Sequence, residues 1–492
     1  MAERVLPSSI DYSKVLPLSV PALSKRRKYF PSNGSTFSAS GNNEIRIELP
    51  NTNALLDPAH SYLEFEILNQ SGAQTLGLDI AGAASLFSQV RLEQGGKIIC
   101  DSQSYNRLHN SVLTMAQTTR GGRSADSITG SSRVNNGALA QSVAPQAVAL
   151  PADAYTSQQH NVAANLGAGA AVRMTHQPTL GLFTQDKLIP LPLIDPANPL
   201  TLVFTIATDA DMGCWTANPG VGVVSFLRAA YVASLVEVGR DVIDQFRGVQ
   251  EMMGGQLVIS GQDWEHATGV VPAATAGQIA IRMPARKRSI KSLFWTASDS
   301  NYAGGTGITS AECFNLSYAG NANVDSWQIK VGSVVYPPTP IQCWGNVAAA
   351  VGAGVVDPSG ARGECLMELA KAFGTLGFTT PSGYLSTITY GTNVVGLSNG
   401  DNTDGGGNDL CPQGGATINV CPFGIDLESF QRTAIESGVD TQTLSQETNL
   451  ILNVNGVGAS PLPTAHNKDI NMWVLYDQHY YFNADGSLTF SN

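Results

Sequence analysis

Apolar and polar residues alternate with a period of two along much of this chain, the pattern of strands that bury one face. In 44–49, Ile45, Ile47 and Leu49 share a face while Glu44, Arg46 and Glu48 take the other. In 63–67, Leu63, Phe65 and Ile67 point one way and the two glutamates the other. Further strands read at 200–206, 231–238, 256–259, 278–283, 292–296, 449–454 and 472–476. Segment 187–193 also reads as a strand. Pro190 and Pro192 place it at an edge or a bulge, because proline gives a ladder no N–H.

Two strand–turn–strand units stand out. Val90-Arg91-Leu92-Glu93-Gln94 turns through Gly95-Gly96 into Lys97-Ile98-Ile99, and Trp327-Gln328-Ile329-Lys330-Val331 turns through Gly332-Ser333 into Val334-Val335-Tyr336. Two-residue turns containing glycine between alternating runs are a strong hairpin signal. Each hairpin is followed by a helical stretch, at 105–113 and 364–373, and each half closes with two apolar strands. The halves therefore repeat one plan at an offset of roughly 240 residues. Solenoid repeats have periods of about 20–50 residues, so this one reads as a duplicated domain.

Between the strands lie long Gly-, Ala-, Ser- and Asn-rich stretches at 116–170, 346–363 and 391–417. So long a polar stretch inside a compact domain is a functional or flexible loop. Eight or so short strands per half, few helices and long loops match an eight-stranded jelly roll. The expected fold is all-β: two tandem eight-stranded jelly-roll barrels with long loops and a few short helices. The expected boundaries are an N-terminal arm over 1–40, a first barrel over 41–240, a linker over 241–254 with helical pattern at 242–246, and a second barrel over 255–492.

Composition narrows the function. Only 14% of the 492 residues are charged, against about 25% in typical soluble proteins, which implies extensive subunit contacts. The net charge of −11 argues against general nucleic-acid binding and leaves room for a local basic patch. Seven cysteines without CxxC pairing read as reduced thiols. No apolar run approaches the ~18 residues of a membrane span, and the proline-broken start is a poor signal peptide, so the chain reads as an intracellular product.

The blocks Leu86-Phe87-Ser88-Gln89-Val90-Arg91-Leu92-Glu93-Gln94-Gly95-Gly96-Lys97 with Ser104-Tyr105-Asn106-Arg107-Leu108 resemble the major capsid proteins of polinton-like viruses and virophages. So do Trp327-Gln328-Ile329-Lys330-Val331-Gly332, Tyr336-Pro337-Pro338-Thr339-Pro340-Ile341, Met367-Glu368-Leu369-Ala370-Lys371-Ala372-Phe373-Gly374, and Phe423-Gly424-Ile425-Asp426-Leu427-Glu428 with Ser437-Gly438-Val439-Asp440. Together they run from about residue 44 to the C-terminus. The resemblance implies a double jelly-roll subunit of trimeric, pseudo-hexameric capsomers in the icosahedral shell of a DNA virus. Its partners would be two further copies, neighbouring capsomers, penton proteins and minor or cement proteins, and its place the virion. Long loops would then form the outer surface.

Candidate chemistry is sparse. Gly396-Leu397-Ser398-Asn399-Gly400 matches the nucleophile-elbow pattern but runs into Asp401-Asn402-Thr403-Asp404-Gly405, which cannot form the required helix. Asp401, Asp404 and Asp409 miss EF-hand spacing, and a solvated turn is the plainer reading. The seven histidines, His60, His109, His160, His176, His266, His466 and His479, show no HExxH and no close pair. The sequons at Asn33, Asn69 and Asn315 read as chance matches. No catalytic residue, metal ligand or cofactor is expected. The densest basic run, Lys25-Arg26-Arg27-Lys28, is the one candidate site, for phosphate contact, nuclear import or pinning of neighbouring capsomers. In the family it resembles, the N-terminal region commonly lies at the capsid interior, which raises genomic DNA as a partner to equal standing with a salt-bridged arm that pins neighbouring capsomers. Arg286-Lys287-Arg288 with Lys291 reads as a barrel rim or interface. The alternatives to a major capsid role are a minor capsid protein, a glycan- or receptor-binding jelly roll, disfavoured by loops nearly free of Trp, and an enzyme, for which no activated nucleophile or ligand set is legible.

Overall fold

The computed structural model describes residues 22–74, 76–78, 81–113, 116, 166–185, 187–215, 220–273, 275–299, 324–342, 361–376, 422–429, 437–442, 447–454 and 467–491. The first half contains β1 (Ala22–Tyr29), β2 (Thr36–Ser38), β3 (Glu44–Leu49), β4 (Ala54–Asn69), β5 (Leu76–Leu78), β6 (Phe87–Gln94) and β7 (Lys97–Gln103). After the short helix α1 (Tyr105–Leu108) come β8 (Ala171–His176), β9 (Ile189–Pro190), β10 (Leu200–Ile206), β11 (Gly213–Trp215) and β12 (Val224–Val238). Helix α2 (Arg240–Met252) leads to β13 (Gln256–Val271), β14 (Gly277–Met283), β15 (Ile290–Asp299), β16 (Val324–Val331) and β17 (Val334–Gln342). Helix α3 (Ala361–Gly374), β18 (Phe423–Asp426), β19 (Thr448–Val454), β20 (Lys468–Asn483) and β21 (Leu488–Ser491) complete the chain.

The two halves have the same topology. In the first, one sheet runs β1-β12-β4-β8 and the other β3-β10-β6-β7. In the second, the sheets run β13-β20-β15-β18 and β14-β19-β16-β17. Each half therefore has a framework of two four-stranded antiparallel sheets facing one another, a jelly roll. The duplication legible in the hairpins extends to every framework strand, with β1 the counterpart of β13.

Inward alternation makes the cores. Ile45, Ile47 and Leu49 are fully buried, opposite Leu200, Leu202 and Phe204 on β10. On the outer face, Arg46 and Arg91 flank Val203, which the sheet register places between them. Their guanidinium groups are held by Glu44 and Glu93, so their stems shield a valine that alternation alone would expose. The second core is aromatic: Trp295 stacks on Phe423 at 4.0 Å, and Trp327 meets the Trp295 ring edge-on at 5.7 Å. Gly95 and Gly96 both have positive φ, a type I′ turn, while Gly332 alone is positive in the matching hairpin, as in type II′.

Two expectations need correcting. Residues 22–38 are not part of an arm outside the first barrel. β1 pairs along its whole length with β12, and β2 pairs with the other end of β12. No alternation marks β1 because Ala22–Lys28 are exposed on both faces. Segment 187–193 forms only the two-residue β9 followed by a 3-10 turn, since its prolines cannot donate to a ladder.

Candidate functional site

The four basic residues sit on β1, the edge strand of its sheet. On the outer face, Arg26 donates to the Tyr62 hydroxyl (2.8 Å) and Lys28 pairs with Glu64 (2.6 Å). On the opposite face, Lys25 pairs with Glu237 (2.6 Å) and Arg27 lies over the Tyr29 ring (5.3 Å). Two of the four charges are thus matched by carboxylates of the same sheet. The second basic run behaves differently. Lys291 is largely buried between Glu428 (3.3 Å) and Asp477 (3.4 Å), and Lys287 pairs with Glu265 at 3.1 Å. These lysines tie together strands of the second barrel, while Arg288 reaches Gln442 (3.0 Å).

The two barrels meet in an extensive seam. β7 and the 3-10 turn Gly181–Phe183 of the first barrel pack on β13 of the second. Ile259, Tyr480, Phe482 and Leu488 of the second half join the first core, and Leu108, Val112 and Ala116 of the first half join the second. Gln94 donates to the Gly486 carbonyl (2.8 Å) and accepts from the Leu488 N–H. Gly181 and Gly261 let the backbones touch: a Cβ on Gly261 would lie 3.2 Å from the Gly181 carbonyl. Asp263 is buried here, accepting from the N–H groups of Trp264 (2.9 Å) and Gly181. An open cleft of about 1060 Å³ runs along the seam, lined by Gln89, Gln103, Ser104, His266, Thr268 and Arg282. Its polar lining is amides and hydroxyls with one imidazole and one guanidinium.

Folding brings together two histidines that look unrelated in sequence. Tyr105 on α1 accepts from the Thr179 N–H (2.9 Å) and bonds His176 Nε2 (2.7 Å), and the His109 ring lies 5.8 Å from that of His176. Burial lowers both imidazoles, His176 to about 3, so both are neutral near pH 7. His266 faces Asn471, His479 faces Ser260 and His60 faces Asp57. Among the described residues no group of three His, Cys, Asp or Glu side chains is placed to hold a metal. Cys100 and Cys365 are free and buried. Asn69 is fully buried, with its amide bonded to the carbonyls of Gln74 and Leu166, which closes that sequon to modification in the folded chain. Ser398, Asp401, Asp404, Asp409, His160, His466 and Asn315 lie outside the described residues. No described helix is long and apolar enough to cross a membrane.

Asp263, Gly181 and the His109–His176 pair escaped the sequence reading, since each depends on segments that meet only across the seam or barrel. The one local sign was a small–polar–acidic step, Gly261-Gln262-Asp263, inside an otherwise strand-like run.

No protein-family model matches the sequence, and no curated protein matches it. Solved structures do match. The cryo-EM structure of the Sputnik virophage aligns with a TM-score of 0.55 at 10% identity, over 100% of this chain and 93% of that chain. The capsid of the virus PBCV-1 aligns with a TM-score of 0.53 at 12% identity, over 98% and 100%. The Faustovirus major capsid protein gives 0.53 at 8% identity, over 97% and 92%. These likenesses agree with the sheet topology: the chain has the double jelly-roll fold.

Proposed function

We propose that this chain is a major capsid protein, a virion subunit that assembles as a trimer with six barrel lobes. The observation that carries the reading is the two-barrel topology, shared over nearly the whole length of chains whose structures are named as viral capsids. A seam that fixes two similar barrels side by side gives half of the contacts that such a ring requires. The chain's low charge content fits a molecule whose outer walls are largely interface.

The internal duplication supports a specific contact between copies. Inside the chain, β7, the edge of one sheet in barrel one, packs on β13, the edge of the opposite-type sheet in barrel two. Their counterparts are β17 and β1, both edge strands. Leu257 and Ile259 of β13 are covered by barrel one, whereas Leu23 at the matching end of β1 is 56% exposed and Val334 on β17 is 50% exposed. A ring closed by repeating the internal contact would set β17 of one copy against β1 of the next, covering edges that otherwise invite aggregation. The pairing of Lys25 and Lys28 within the sheet favours this subunit contact over phosphate binding for the basic strand. Neighbouring capsomers would occupy the remaining walls.

The test is the native mass of the purified protein. A trimer of the 51.7-kDa chain weighs about 155 kDa. That mass with a hexagonal outline in negative stain supports the proposal, and a concentration-independent monomer refutes it.

A further inference from the structure

The strongest unassigned chemistry in the molecule is the acidic side chain sealed into the seam. Asp263 is 1% exposed and stands on β13 facing the Gly181 turn of the first barrel. Its fixed partners are two backbone N–H groups, those of Trp264 and Gly181. The titratable groups around it come from three strands and one loop. β7 supplies the Cys100 thiol and Asp101, β20 supplies the Tyr476 and Tyr480 phenols, and β13 supplies Glu265. The loop before β15 supplies Lys287, whose ammonium is taken up by Glu265 (3.1 Å) and the Tyr476 ring (3.8 Å). The thiol hydrogen-bonds the Tyr480 hydroxyl (3.3 Å), which also bonds Gln478 (3.3 Å). A negative charge here would have the Lys287 ammonium in reach, already shared, and two further carboxylates, Asp101 and Glu265, nearby.

We propose that Asp263 is a protonation-controlled latch between the two barrels: as the neutral acid it lets the seam close, and as the carboxylate it loosens the seam around the Gly181 turn. Burial pushes its carboxyl up to about 7, outweighing the Trp264 hydrogen bond, the Lys287 charge and the Gly181 hydrogen bond, with Asp101 adding to the rise. The sign follows from linkage. A carboxyl that holds its proton more tightly in the closed seam than in water favours closure fully below its ordinary value of 3.8. That advantage is lost as pH rises and levels off above about 7. The latch lies within one chain, so it operates whether or not copies assemble.

The test is hydrogen–deuterium exchange of the full-length protein and its Asp263→Asn variant between pH 5 and 8, normalised to intrinsic exchange rates. Comparing the two proteins cancels the titration of His109, His176 and His266. Peptides spanning 179–185 and 476–483 should lose protection roughly a hundredfold in the wild type relative to the variant. Peptides of β10 should not. Should the variant fail to fold, the wild type alone decides, by whether seam peptides lose protection with rising pH while β10 peptides keep it. Equal pH dependence in the two proteins, or wild-type seam protection that is flat or rises with pH, overturns the proposal.

Discussion

Replacing Gly181 with alanine is expected to strain the seam and destabilise the whole molecule. The added Cβ would lie 2.0 Å from the Tyr480 hydroxyl oxygen and 2.8 Å from the Asp263 carboxyl carbon. Carbon atoms rest about 3.5–4.0 Å apart, so one wall must retreat by an ångström or more. Tyr480 has no free space to enter, being fully buried and bonded to Cys100 and Gln478. Overpacking of this kind costs about 1–3 kcal/mol. Each of the two hydrogen bonds that Tyr480 gives up adds about 0.5–1.5 kcal/mol, for roughly 2–6 kcal/mol if both are lost. The assay is urea unfolding followed by tryptophan fluorescence, with Gly167→Ala as control. Gly167 has nothing within 4 Å of its added carbon, and its variant should stay within about 0.5 kcal/mol of wild type. Adding Tyr480→Phe removes the closest oxygen and should recover part of the loss, a coupling that a double-mutant cycle reads directly. If Gly181→Ala unfolds with the wild-type midpoint, the barrels do not meet as described.

Tyr105→Phe should cost about 1–3 kcal/mol in the same assay, because it leaves the buried His176 Nε2 and the half-buried Thr179 N–H without their partner. Lys291→Met should cost about 3–5 kcal/mol near neutral pH by stranding Glu428 and Asp477 in the second barrel. That loss should shrink in acid, since burial already raises the Glu428 carboxyl and protonation removes its stranded charge. Leu23→Asp should leave the monomer's unfolding free energy within about 0.5 kcal/mol of wild type, as Leu23 is 56% exposed there, while lowering the fraction of the proposed trimer measured by native mass spectrometry.

How much of this was legible in the sequence depended on whether a strand buries one face. β3 and β10 do, and their alternation gave them away, as the glycines at 95–96 and 332 gave away both hairpins. β1 buries neither face over Ala22–Lys28, so its four basic residues looked like a free arm although backbone pairing fixes every one of them to β12. In the sequence β13 and β20 show only short strands, because only part of each follows a simple alternation. In the structure each runs 16 residues, and the ends that overshoot their own barrel pack on the other one. The seam chemistry was illegible for the same reason: Gly181, Asp263 and Tyr480 come from three separated segments, and nothing near any one of them announces the others.

The most direct test of the central claim is a cryo-EM map of the assembled protein. That map should show a three-fold particle whose six lobes alternate between first and second barrels, with β17 of each copy laid against β1 of the next. An oligomer that leaves both of these edges in solvent, or a protein that never leaves the monomeric state, would contradict it.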